Sequence, residues 1–217
     1  MQLQGKKVLA AFAHPDDAEL CCFGTLARWM KEGAEVHVLV ATRGTRTNSA
    51  LAAERISETL QASLLADYMM ISEDFPDGHL VCNTELVSLI DRYLRDLDPH
   101  IVITHYPQPV GEGHQDHFAL SNAVMNSVRR NQRVKWCLFA EPPTHPGPFA
   151  PNLFVDITAY LDLKKQAVAL HMSQQNKAYM VLDSVETRAR WWALQSYVEG
   201  FKGRAFEAFQ VVKGVID

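Results

Sequence analysis

The chain has little cysteine and no cysteine pattern. Its 217 residues hold four, Cys21, Cys22, Cys82 and Cys137, with no C-x-x-C spacing. That argues against a disulfide framework and a thiolate zinc site, and each cysteine reads as a small core residue. No apolar run approaches the roughly 20 residues of a membrane-spanning helix. The run behind Lys6 and Lys7 covers only Val8 to Ala13, too short for a secretory signal. These absences predict a cytoplasmic protein with reduced thiols. Basic runs do not exceed two or three residues and the net charge is −4, so no electrostatic footprint for nucleic acid is present. No G-x-G-x-x-G loop follows the first apolar run, which removes the phosphate cradle of a nucleotide-binding module.

What is there is ordinary in bulk and unusual in one place. Apolar residues make up 47% of the chain, enough for a full core, and no linker, repeat or low-complexity tract divides residues 1–217, so one domain is expected. The unusual stretch is Lys7 to Asp17, KVLAAFAHPDD. Its apolar half is short enough for one buried strand, and Pro15 ends that strand because proline lacks an N–H and disfavours helix at the residue before it. In an open α/β sheet ligands gather at the carboxyl ends of strands. The tetrapeptide His14-Pro15-Asp16-Asp17 therefore stands where such folds do chemistry. Histidine and aspartate suit Zn²⁺ or a similar ion, and adjacent carboxylates favour a cation beside them. Helix capping by Asp16 or Asp17 is the competing reading.

The rest of the chain alternates. Helical periodicity covers residues 18–32, 50–66, 84–97 and 117–130, and β-rich runs cover 35–41, 67–71, 100–104 and 134–140. Ser49 is the expected cap of the second helix. Strands alternating with helices predict an α/β fold, a Rossmann-like, mostly parallel sheet with helices on both faces. Right-handed crossovers then put every strand's carboxyl end on one edge. The last third is less regular. Residues 141–152 hold five prolines, 153–156 and 206–212 read as strands, and 158–173 and 185–200 as helices.

The loop after the fourth strand ends in His114-Gln115-Asp116-His117, on the same edge as His14. One H-x-D-H is weak evidence; two His/Asp clusters converging on one edge predict a joint metal site.

These two segments resemble the signature of the PIG-L/LmbE-like zinc-dependent de-N-acetylases: Ala13 to Asp17 as AHPDD and His114 to His117 as HxDH. Smaller matches extend the resemblance over nearly the whole chain. They include Gly24-Thr25-Leu26-Ala27, with Phe23 where the family has a first glycine, and Thr42-Arg43-Gly44, with Thr45 where an acidic residue is common. Arg55 and Glu58 match an RxxE helix, and Pro76-Asp77-Gly78, Lys164, His171, Ser173-Gln174 and Phe206 to Phe209 also fit. Ala18 departs from the glutamate often found after HPDD.

The resemblance implies an LmbE-like fold and a hydrolase that removes an N-acetyl group from an amino-sugar-containing small molecule or glycoconjugate, releasing acetate. It implies one Zn²⁺ per chain, with Fe²⁺ or another divalent ion as the alternative, held by His14, Asp17 and His117. Asp16 is then the general base and His114 the group that polarises the acetyl carbonyl. Asp116 orients a histidine or caps the following helix. Arg55, Arg43 and His171 are the candidate substrate contacts, although Arg43 and Arg46 also read as solvated loop residues. His105 and His145 stand as further pocket candidates, and Trp191-Trp192 as core, interface or a sugar-stacking pair. His37 and His100 read as structural. The expected partner is a small N-acetylated sugar, and the resemblance leaves a homo-oligomer open, since many relatives self-associate. An amidase acting on a thiol conjugate or an antibiotic intermediate is the alternative within the same chemistry. A non-catalytic Rossmann-like nucleotide-binding module is the alternative outside it.

Overall fold

The computed structural model describes residues 2–108, 113–144 and 148–216. Seven strands form one sheet: β1 Lys7–Phe12, β2 Glu35–Thr42, β3 Met69–Phe75, β4 Ile101–His105, β5 Trp136–Ala140, β6 Leu153–Asp156 and β7 Phe206–Gly214. Their order is β3-β2-β1-β4-β5-β7-β6. Strands β1 to β5 run parallel, and β7 is antiparallel to both β5 and β6. The helices are α1 Asp17–Cys21, α2 Phe23–Lys31, α3 Ser49–Ala66, α4 Thr84–Leu97, α5 Gln115–Arg130, α6 Leu161–Ala169 and α7 Leu182–Gln195. The expected α/β, mostly parallel architecture is what forms.

Strand β1 shows why both faces are covered. Successive side chains point to opposite faces. Val8, Ala10 and Phe12 join Phe23 and Leu26 of α2 in one core layer. Leu9, Ala11 and Ala13 join Ile90 of α4 and Leu120 of α5 in the other. A strand buried on both sides reads as a continuous apolar run.

The order also fixes where the site lies. From β1 the chain winds outward to β2 and β3, then returns to place β4 on the other side of β1. The carboxyl ends of β1 and β4 therefore flank the crevice at the switch point, where open α/β sheets bind ligands.

Several boundaries depart from the periodicity. Strand β3 begins two residues later than expected and extends to Phe75; it is an edge strand, half-exposed, and its apolar signal is weak. Asn48, not Ser49, caps α3 by accepting the Leu51 N–H at 3.0 Å. The helix expected over residues 158–173 divides into a 3-10 turn, α6 and a second 3-10 turn. Cys82 is exposed, unlike the buried Cys21, Cys22 and Cys137.

The helix expected over residues 18–32 is broken at Cys22, which adopts φ −151°, and the break is satisfied by buried side chains from far along the chain. Glu207 accepts the N–H groups of Gly24 (3.0 Å) and Thr25 (2.7 Å) at the start of α2. Lys164 donates to the Leu20 carbonyl of α1 at 2.8 Å and pairs with Glu207 at 2.5 Å. One ion pair thus caps both halves of the break, meeting the orphan groups that every helix end exposes. Gly24 is required there, because a Cβ would lie 2.8 Å from the Ile157 side chain. Glu207→Ala leaves a buried ammonium without its counter-ion and two amides without partners. It is expected to cost about 3–5 kcal/mol, the range for breaking a buried pair. A urea unfolding midpoint indistinguishable from wild type would contradict this role.

Candidate metal centre and active site

The loop after β1 is shaped by its own carboxylate. The His14 N–H donates to Asp17 Oδ2 at 2.8 Å, and the Leu20 N–H donates to the Asp16 carbonyl at 3.0 Å, which starts α1. Asp16 occupies the cap position with φ 106°, yet its side chain makes no capping bond. A non-glycine residue held there costs of order 1–3 kcal/mol and persists where its surroundings over-determine it.

Three donor atoms converge beside this loop. His14 Nδ1 lies 3.1 Å from His117 Nε2 and 3.2 Å from Asp17 Oδ2, and His117 Nε2 lies 3.3 Å from Asp17 Oδ2. A tetrahedral ion with bonds of about 2.0–2.1 Å holds its ligands about 3.3 Å apart. The triangle therefore has the size a divalent cation requires. The residues fit a metal.

Three other groupings share these residues: His114 can join His14 and His117, and the other two are less suited. His105 Nε2 lies near Asp17 and His117, but it already accepts the Ala13 N–H at 2.9 Å, so its lone pair is taken. Asp116 and Asp77 face the other nitrogen of His14, each at 3.2 Å from Nε2. Asp116 is fully buried and also accepts the N–H groups of Gly78 (2.7 Å) and Leu80 (3.0 Å). It orients His14 through Nε2 and turns Nδ1 toward the triangle, the usual arrangement behind a metal-ligating histidine. Burial opposes ionisation of Asp116, but the bonds from His14, Gly78 and Leu80 hold its pKa below the usual range.

The remaining groups are placed for chemistry. His114 caps α5, and its Nδ1 accepts the Asp116 N–H at 3.2 Å, which assigns the ring proton to Nε2. Burial, with His14 and His117 close by, lowers its pKa and so favours the neutral ring. Burial together with the Asp17 charge raises the pKa of Asp16 to about 6 against the opposing pull of Arg55. Burial also acts against the charge of Asp17, but His117 and His105 reverse it and hold Asp17 well below the usual range. Two adjacent carboxylates are thus pushed apart, one committed to the cluster and one able to exchange a proton near neutrality. His105 stacks on His117 with ring centroids 3.8 Å apart and planes 6° from parallel, fixing that ring.

A cavity of about 540 Å³ opens over these groups. Its walls include Asp16, Arg55, His114 and His117, with Lys177 and Tyr179 from the segment before α7. The size falls within the range of small-ligand sites.

Not every candidate reaches this cavity. Arg43 pairs with Asp74 at 3.0 Å on the surface and is not among the cavity walls. His171 is completely buried, with Nε2 3.3 Å from Glu19 Oε2, so it is not placed to touch a substrate from solvent. Trp192 packs among Phe149 and Phe154, while Trp191 is exposed. His100 accepts the Lys7 N–H at 3.2 Å, a structural role. His145 lies outside the described residues. Asp77, Lys177 and Tyr179 were not singled out as site residues from the sequence. Asp77 carries a signal that could have found it, since its turn follows the carboxyl end of β3; Lys177 and Tyr179 follow no strand.

A mostly parallel α/β sheet with a His/Asp centre at its switch point defines a Rossmann-like α/β fold. Comparison with known proteins narrows this. Residues 9–128 match the PIG-L family, described as GlcNAc-PI de-N-acetylase. The uncharacterized deacetylase YaiS of Escherichia coli K12 is 30% identical over 173 residues, covering 77% of this chain and 91% of YaiS. A 1D-myo-inositol 2-acetamido-2-deoxy-alpha-D-glucopyranoside deacetylase of Rhodococcus opacus B4 is also 30% identical, covering 78% of this chain and 82% of its own length. The chain belongs to the PIG-L de-N-acetylase family. The fold by itself does not fix the reaction. GalB, the 4-carboxy-2-hydroxymuconate hydratase of Pseudomonas putida KT2440, shares it with a TM-score of 0.84 at 17% identity, covering 98% of each chain.

Proposed function

We propose that the protein is a metal-dependent hydrolase that removes the acetyl group from an N-acetylated amino sugar or its glycoconjugate, releasing acetate and a free amine. One observation carries the reading: the 3.1–3.3 Å triangle of His14 Nδ1, Asp17 Oδ2 and His117 Nε2 beside the uncommitted carboxylate of Asp16. A divalent cation bound there, Zn²⁺ in this reading with Fe²⁺ as the alternative, supplies a Lewis acid and lowers the pKa of water toward about 7. Asp16 takes the proton of the attacking water as the new C–O bond forms at the acetyl carbon. His114 donates its Nε2–H to the carbonyl oxygen as negative charge develops there. Asp16 then passes the proton to the nitrogen as the C–N bond breaks. The substrate class draws support from the R. opacus relative, whose name specifies an acetamido sugar, and from a cavity of about 540 Å³. The four free thiols fit the proposed cytoplasmic location. Among the described residues no helix is long and apolar enough to cross a membrane.

The test is acetate release from a panel of N-acetylated sugars by the purified protein, with and without a chelator. The expected outcome is acetate and free amine in equal amounts, abolished by the chelator and restored by Zn²⁺. Release of acetate at full rate in the chelator would contradict the proposal, and so would amine-free turnover of the panel.

A further inference from the structure

Arg55 matches a family position expected to touch the substrate, but its hydrogen bonds point elsewhere. The residue lies on α3 and is 7% exposed. Its Nη2 donates to the Pro15 carbonyl at 2.7 Å and to Asp16 Oδ2 at 3.1 Å, and Nη1 donates to the Gly44 carbonyl at 2.6 Å. Two of these three acceptors lie in the HPDD loop, on either side of the peptide that leads into the positive φ of Asp16. The third anchors the guanidinium to the loop after β2. That loop is itself tied to β1, because Thr42 donates to the Ala13 carbonyl through both its N–H and its hydroxyl, each at 2.9 Å. Gly44 is the residue this contact requires: a Cβ there would lie 2.2 Å from Arg55 Nη1.

We infer that Arg55 is a positioning residue for the base, a fork that fixes the Asp16 carboxylate and its backbone turn against the β2 loop, rather than the principal grip on the substrate. The inference rests on the reading of Asp16 as base. It follows from geometry: a planar fork spanning one carboxylate and two carbonyls constrains orientation in a way that a single ammonium does not.

The experiment is a steady-state comparison of wild type, Arg55→Ala, Arg55→Lys and Gly44→Ala on a substrate found in the acetate assay. It is run alongside metal analysis and calorimetric affinity for the amine product. Misplacing a reacting group by about 1 Å costs about 100-fold, so Arg55→Ala is expected to lose about that factor in kcat. KM is expected to stay within about threefold, the sign that ground-state binding is untouched. Metal content and product affinity are expected to stay at wild-type values. Arg55→Lys should fall between the two. Gly44→Ala, which displaces the fork without removing its charge, should lose kcat in the same sense. A rise in KM with kcat retained, or wild-type kcat in Arg55→Ala, would overturn the inference. Should Arg55→Ala lose its fold or its metal, the same two ratios in Arg55→Lys and Gly44→Ala decide. Asp16→Asn, measured in parallel, separates the two levels. If Asp16→Asn is as active as wild type, the reading of the base fails. If it is inactive while Arg55→Ala alters only KM, the positioning role fails alone.

Discussion

Asp16→Asn is expected to lower kcat by about 10²–10⁴-fold, the usual contribution of general acid–base catalysis, while metal content stays at the wild-type level. The substitution keeps the size and planarity of the side chain and an oxygen that can accept from Arg55, and removes the negative charge and with it the capacity to take a proton. Asp16 is not one of the three converging donors, so its loss leaves the triangle of His14, Asp17 and His117 intact. Burial and the Asp17 charge set its pKa at about 6, so most of the protein carries the carboxylate at pH 7 and can accept a proton. The sign of the pH dependence follows. The active form is ionised, so wild-type activity falls as the pH drops through the region of that pKa, and a bound cation moves the fall to lower pH. The residual activity of Asp16→Asn should lack that acid limb. Steady-state kinetics with parallel metal analysis checks both parts; near-normal kcat in a metal-replete variant would contradict the assignment.

Asp17→Ala is expected to abolish metal retention and, with it, acetate release. Asp17 Oδ2 lies within 3.4 Å of nitrogens on three histidines, His14, His105 and His117, and also accepts the His14 N–H. Removing it takes away one ligand of three and the only anion among the three. The loss should exceed the about 10–100-fold reductions typical when an outer partner of a metal ligand is removed. Metal analysis after dialysis is the measurement. The expected result is substoichiometric metal in Asp17→Ala beside full content in Asp16→Asn. Equal retention in both would show that the two adjacent carboxylates do not divide their roles as described.

The two variants differ by one position in the chain, and the division proposed between them comes from the family resemblance, while the place of both residues was legible in the sequence. The run from Val8 to Ala13 and the proline that ends it were enough to predict a strand with its functional residues at the carboxyl end. The amphipathic face of α4 followed from periodicity in the same way. The convergence of His14 with His117 across 103 positions was legible only because both motifs follow parallel strands of one sheet. What escaped the sequence depends on partners that no local pattern contains. The break at Cys22 is stabilised by Lys164 and Glu207, more than 140 positions away from the carbonyl and amides they cap. His171 resembled a pocket residue but is buried against Glu19, a partner 152 positions away that no local pattern contains. Arg55 carried a family match to substrate binding, yet its bonds run to the loop that holds Asp16. Asp77 was readable as a turn residue from Pro76-Asp77-Gly78, and its place beside His14 followed only once β3 was paired to β2.

The central claim is that His14, Asp17 and His117 jointly hold a catalytic cation, and X-ray absorption at the metal edge of the purified, metal-loaded protein tests it most directly. The predicted spectrum has two imidazole nitrogens and carboxylate oxygen at about 2.0–2.1 Å, completed by a light solvent atom. A sulfur neighbour at about 2.3 Å, or a first shell unchanged when His117 is replaced by alanine, would contradict the account.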